Sequence, residues 1–398
     1  MTIMAQQSSP EMSTKIRQQL PTGLLSVAVH EQLFSLDSLM GFAARANLKR
    51  GFLFLSKVLG KHWPVRPSLM KEIHEALAAQ IAADLPEPVV FIAMAETAVG
   101  LGQGVFEAYQ RMHPEKSVLF IHTTRYHVAD YELIEFEEAH SHAPRQFIHM
   151  PKDAAMKNKI MQAQSLVMVD DEASTGNTFL NLKNAFQQFN PNIKRLHLST
   201  ITNFMGQERN NSLSARFGLE VTIGSALTGE YEFQQGEYQV PHVAAQAFQA
   251  AADRGASTEF GRVGMERELV LDESQVSALA MALPAGAKIL VLGTGEFMHP
   301  AYSLGIALEA RGLDVRVQST TRSPIMQWGD VSSILQFADN YGEGISNFVY
   351  NVADRQYGQV FLCHETPVNA ALLEIARQTG ADLIHFTKEA HFEKISLC

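Results

Sequence analysis

Cysteine is nearly absent from this sequence: Cys363 and Cys398 are the only two in 398 residues. Two thiols without a partner pattern exclude a disulfide framework and a cysteine-built zinc site, and they fit a reducing cytoplasm. Long apolar runs are missing too. None approaches the roughly 20 residues of a membrane span, and the first twenty residues carry no apolar segment of a secretory signal. The expectation is therefore a cytoplasmic protein with no membrane partner. Positive charge is in deficit, with 32 Lys and Arg against 42 Asp and Glu and a formal charge of −10. That balance excludes broad, non-specific nucleic-acid binding, which needs a net basic surface. One stretch departs from it. Between Asp37 and Glu72 no acidic residue occurs, while Arg45, Lys49, Arg50, Lys57, Lys61, Arg66 and Lys71 all do. Such a cluster is either a solvated basic face or the seat of one anionic ligand, and both readings stand.

What is present is an ordinary globular composition, 46% apolar and 19% charged, in a chain long enough for two or three cores. The pattern predicts a flexible arm over 1–24, an α/β domain over 25–250, a linker over 251–267 and a second α/β domain over 268–398. In the first domain, strands are expected at 51–56, 88–94, 117–122, 165–169 and 194–202, separated by helical spacing. After the linker the rhythm restarts, with strands at 287–292, 314–318, 359–363 and 382–386. Short apolar runs alternating with helices argue for parallel, two-faced, Rossmann-like sheets.

The halves echo one another. Ala95-Glu96, a helix, a strand and Thr123-Thr124-Arg125 are matched by Gly295-Glu296, a helix, a strand and Thr320-Thr321-Arg322. A weaker echo sets Val167–Glu172 beside Val360–Glu365. On these matches the second domain is expected to be a divergent, carboxylate-poor relative of the first, with the same strand order.

The strongest chemical signal is the strand 165–169 running into Asp170-Asp171-Glu172-Ala173-Ser174-Thr175-Gly176-Asn177-Thr178 and then a helix. A helix start leaves backbone N–H groups unpaired and carries partial positive charge, which suits a phosphate. Gly176 permits close backbone approach, and Ser174, Thr175 and Thr178 add hydroxyl donors. The carboxylates just upstream are placed for sugar hydroxyls or a cation. The plain alternative is a capped strand-to-helix turn with two solvated acids.

With these residues in view, the loop resembles the phosphoribosyl pyrophosphate (PRPP) motif of type I phosphoribosyltransferases. The wider chain resembles an orotate-phosphoribosyltransferase-like branch fused to a C-terminal domain named for its Thr-Arg-Ser-Pro motif, present here as Thr321-Arg322-Ser323-Pro324. That branch is associated with tellurium-resistance and stress gene clusters. The resemblance implies that Asp170 and Asp171 contact the ribose hydroxyls, that Glu172, Ala173, Ser174, Thr175, Gly176, Asn177 and Thr178 form the PRPP loop, and that Mg2+ rides mainly on PRPP. It implies a pyrophosphate loop at Ala95, Glu96, Thr97, Ala98, Val99 and Gly100. Glu96 is an awkward neighbour for pyrophosphate; it can instead hold a cation, a basic side chain or the acceptor. Arg125 stands where orotate-type enzymes carry an Arg-Lys pair, and its planar guanidinium suits bidentate phosphate contacts. The segment 126–152 corresponds to a mobile hood, in which His140 and His142 are candidates for acid–base duty. Arg45, Arg50, Lys57 and Lys61, with Arg322 and Ser323, are candidates for gripping an acidic acceptor.

The function so implied is transfer of a 5-phosphoribosyl group from PRPP to a nitrogenous acceptor, with pyrophosphate released, in a homodimer. Two others remain open at this level: a non-catalytic PRPP or nucleotide sensor, and an enzyme working in reverse as a pyrophosphorylase or nucleoside cleaver.

Overall fold

A computed structural model describes residues 14–45, 50–137, 145–237 and 256–396. The first half holds β1 (Thr14–Leu20), β2 (Gly23–Gln32), β3 (Met40–Ala44), β4 (Phe52–Ser56), β5 (Val89–Ala93), β6 (Val118–His122), β7 (Leu133–Glu137), β8 (Arg145–His149), β9 (Ser165–Ala173), β10 (Arg195–Asn203) and β11 (Glu220–Gln235). Seven of these form one sheet in the order β1-β2-β11-β10-β9-β5-β6, parallel from β11 to β6. Both faces are covered, which is why β5 and the start of β9 are unbroken apolar runs. Successive side chains leave a strand on opposite faces. Thus Phe91, Val167 and Val169 join the core under the helices Pro67–Ala78 and Val99–Met112, while Val90, Ile92, Leu166 and Met168 join the opposite core with Ile160, Phe179 and Phe186.

The second half holds β12 (Lys288–Gly293), β13 (Asp314–Ser319), β14 (Ile334–Ala338), β15 (Ser346–Tyr350), β16 (Gln359–His364), β17 (Ala381–Lys388) and β18 (His391–Ile395). Its sheet runs β13-β12-β16-β17-β18. The parallel order β6-β5-β9-β10 of the first half recurs as β13-β12-β16-β17. Each first strand is followed by an antiparallel hairpin, β7–β8 and β14–β15. The fifth strands differ: β11 is parallel to β10, whereas β18 turns back antiparallel on β17. Among the described residues no helix is long and apolar enough to cross a membrane.

The halves exchange edges. The segment at Gly60–Val65 pairs with β13 of the second half, through Ser319 N–H to Gly60 O at 2.8 Å and the bridge Val65–Val317. The segment at Gly261–Met265 pairs with β6 of the first half, through His122 N–H to Gly261 O at 3.1 Å and the bridge Met265–Phe120. Such reciprocity is the mark of a two-fold, isologous interface, here inside one chain.

Three expectations need correction. Thr14–Leu20 is not a loose arm but an edge strand registered on β2; exposed Lys15, Arg17 and Gln19 alternate with half-buried Ile16 and Gln18 and buried Leu20, a pattern natural to an edge. Residues 251–255 lie outside the described residues, but 256–267 are packed structure rather than linker, with Phe260, Arg262 and Met265 buried. Gly100, expected in the pyrophosphate loop, is instead part of the helix Val99–Met112, as are Gly102 and Gly104. Glycine disfavours helix, so a compensating reason is required. It is close packing in three directions: an added Cβ would lie 3.1 Å from Met298, 2.3 Å from Ala93 and 2.1 Å from His74, respectively. Gly102→Ala is therefore expected to overpack the helix against β5 and cost about 1–3 kcal/mol, read as a lower urea midpoint with an unchanged slope.

Candidate functional site

β9 does not end at Val169. It runs to Ala173, with Asp170 opposite Thr200 and Glu172 opposite Thr202 of β10, so the acidic residues stand on the strand's rim. The Asp170 carboxylate accepts the Asp171 N–H at 2.9 Å. Burial, reinforced by the charge of Glu172, pushes Asp171 up to about 6. Glu172 is held by Arg50 through two bonds of 2.7 and 2.9 Å. The chain then turns through Gly176 at φ 71, a left-handed conformation open to glycine, into the helix Asn177–Phe189, which has no side-chain cap. Its first N–H groups therefore face the loop, although Asn177 N–H meets Thr175 Oγ1 at 3.3 Å. Arg216 braces the loop from outside, donating to the Thr175 carbonyl at 2.5 Å and to Asn177 Oδ1. Tyr231 hydrogen-bonds Ser174. Neither brace carries a motif, which is why the sequence did not disclose them.

Of the basic cluster, Arg45 and Arg50 flank the tip between β3 and β4 and face this rim. Arg45 donates to Ser323, and burial beside Arg50 lowers it to about 10. Lys57 lies 3.8 Å from Asp330 and over the Trp63 ring. Lys61 is fully buried: its ammonium lies 2.8 Å from Glu96 and donates to the Gly295 carbonyl at 2.8 Å. It is not free to reach an acceptor. Arg322 is likewise engaged, 3.6 Å from Glu96, 2.7 Å from Glu343 and bonded to Tyr126 OH at 2.6 Å.

Glu96 thus receives two basic side chains rather than pyrophosphate. Burial opposes its ionisation, and the Lys61 and Arg322 charges more than offset that, holding its carboxyl below the usual range. Ala98, Val99 and Gly100 are buried, Gly100 against Met298, so of the expected pyrophosphate loop only Thr97 keeps a part-exposed side chain. Arg125 remains at the rim, its guanidinium 3.4 Å from the Ala95 carbonyl and its N–H held by Glu296 at 2.8 Å. His140 and His142 lie outside the described residues. Among the described residues no group of three or more His, Cys, Asp or Glu side chains is placed to hold a metal unaided.

The echo of the two halves is real in geometry but shifted. Ala93 aligns with Val169, and Leu292 with Leu362. With Glu96 equivalent to Glu296, this register sets Asp170 beside His364 and Asp171 beside Glu365, one residue from the alignment read off the sequence.

Residues 39–230 match the family described as phosphoribosyl transferase, and residues 259–379 match the TRSP domain found C-terminal to it. The first half thus carries a domain of this phosphoribosyl transferase family and the second a TRSP domain. Solved structures similar to it include the adenine phosphoribosyl transferase of Trypanosoma brucei, at 11% identity, covering 50% of this chain and 83% of that one, TM-score 0.35. The adenine phosphoribosyltransferase of Thermoanaerobacter pseudethanolicus is 15% identical over 48% of this chain and 96% of its own, TM-score 0.33. A hypoxanthine phosphoribosyltransferase of Staphylococcus aureus is 16% identical over 42% and 78%, TM-score 0.25. No curated protein matches the sequence.

The raised pKa of Asp171 has a sign that can be measured. Between its ordinary value near 3.8 and about 6 the folded protein holds more protons at this group than the unfolded chain. Its contribution to stability is therefore full below pH 3.8 and is lost as pH rises through 6. Asp171→Asn is expected to stabilise the ligand-free protein at pH 7 by roughly 1–3 kcal/mol, with the gap closing toward pH 4. Urea melts at the two pH values check this.

Proposed function

We propose that the first half binds PRPP at the end of β9 and transfers its 5-phosphoribosyl group to a nitrogenous acceptor, releasing pyrophosphate. The observation that carries this reading is the pairing of Asp170 and Asp171 with an uncapped helix start six residues beyond Asp171. Carboxylates accept two vicinal hydroxyls; a helix N-terminus accepts a phosphate. A ribose 5-phosphate presents both groups at about this spacing. Ala173 to Thr178 supply the phosphate cradle, with Arg216 and Tyr231 fixing its shape. Arg125 stands on the neighbouring rim, where its guanidinium serves the departing pyrophosphate.

The carboxylate pair and the oxygens of PRPP together form the hard-oxygen donor set that Mg2+ prefers. The ion, when bound, neutralises charge on the pyrophosphate. The chain's own part is orientation: the carboxylates fix the sugar while oxocarbenium character develops at C1, and the rim holds the leaving group in line. In this reading the strand pair β7–β8, in the segment expected to form the hood, limits water, which would hydrolyse an activated ribosyl donor.

Calorimetric titration with PRPP and Mg2+ tests the reading. Wild type is expected to bind one PRPP, and the Asp170→Asn, Asp171→Asn double variant to lose about a hundredfold or more in affinity, the worth of two charge-assisted hydrogen bonds. Equal binding by both proteins would remove the donor from this loop.

A further inference from the structure

Each half carries a glutamate in the turn after its central strand, Glu96 and Glu296, and each takes a partner from across the interface and another from its half's exchanged edge segment. Glu96 receives Arg322 of the second half, together with Lys61 on the exchanged edge segment. Glu296 accepts the Arg125 N–H at 2.8 Å and the Thr124 hydroxyl at 2.6 Å, and lies 3.6 Å from Arg262, the equivalent of Lys61 on the other exchanged segment. Below them Tyr126 stacks on Tyr341, ring centres 4.3 Å apart, with the Arg322 guanidinium over its face. The backbone that presents Arg125 is therefore held by second-half side chains.

The second half's own strand end is closed. Glu365, the equivalent of Asp171, is buried and taken by Arg262 at 2.8 and 3.0 Å, by Tyr341 OH at 2.9 Å and by Ser257. His364 replaces Asp170. The following turn is Thr366-Pro367-Val368, and the next helix, Ala370–Thr379, is capped by Asn369, whose side chain accepts Leu372 N–H. No hydroxyl-and-glycine cradle and no uncapped helix start remain there.

We propose that the second half is a built-in partner that runs no donor site of its own and positions the pyrophosphate end of the first half's site, with Glu296 as positioning residue for Arg125 and Arg322 for the turn at Glu96. This rests on the PRPP reading given above. It assigns the Thr-Arg-Ser-Pro corner to preorganisation. The ribose end is built from β9, its helix and their first-half braces Arg50, Arg216 and Tyr231.

The test separates the two ends. Pyrophosphate with Mg2+ and ribose 5-phosphate are titrated separately into the full chain, its Glu296→Ala variant and its Glu296→Gln variant. Glu296→Ala is expected to weaken pyrophosphate about tenfold while ribose 5-phosphate stays within about twofold. Glu296→Gln keeps an acceptor for the Arg125 N–H and recovers most of the loss. Should Glu296→Ala fail to fold, Arg322→Lys, which gives up the contacts with Glu96 and Tyr126 but keeps the charge, is expected to show the same split. Equal losses for both ligands, or none, overturn the positioning role and leave the PRPP reading standing. Wild type binding neither ligand overturns both. A stoichiometry of two PRPP per chain overturns the closed second site.

Discussion

Two carboxylates buried at the seam between the halves constrain everything around them. Glu96 is 7% exposed and Glu296 3%. A charge so far from water is tolerable only with a partner at close range, and removing one partner of such a pair typically costs about 3–5 kcal/mol. The partners come from distant parts of the chain: Lys61 and Arg322 for Glu96, Thr124, Arg125 and Arg262 for Glu296. The edge segments that carry Lys61 and Arg262 must therefore cross between the halves, and the turns that carry the glutamates must face one another. The exchange of edges and the two-fold arrangement follow from the same requirement.

From that arrangement the halves acquire different work. The first keeps a rim of carboxylates leading to an uncapped helix. The second fills the equivalent rim with Arg262 and caps its helix with Asn369. Arg262 plugs that rim through the attraction and hydrogen bonds of its pair with Glu365, which offset the water both charges lose. One half therefore keeps an open rim while the other closes its own.

The α/β rhythm was legible because buried parallel strands are largely unbroken apolar runs; β5, β6, β9, β12 and β16 all fall where such runs occur. The loop Asp170–Thr178 was legible because its residue types act locally, on the helix that follows them. Thr14–Leu20 was missed because an edge strand half exposed to water looks polar. The second-half hairpin β14–β15 was missed because its burial comes from long-range packing against β3, β4 and the Thr321 corner. Lys61 and Arg322 were misplaced for a related reason: a basic residue reads as available until the acid that claims it is located.

By itself the sequence determined the local terms: which buried apolar runs are strands, and which loop combines hydroxyls, a glycine and carboxylates. It could not determine which charges remain open, because an ion pair depends on distance in space, and the partners here are separated by 35 to more than 200 residues of chain. Only the tertiary structure decided that Glu96 is part of the seam and not a ligand group, that Glu365 is plugged, and that Arg125 is presented by a carboxylate from the other half.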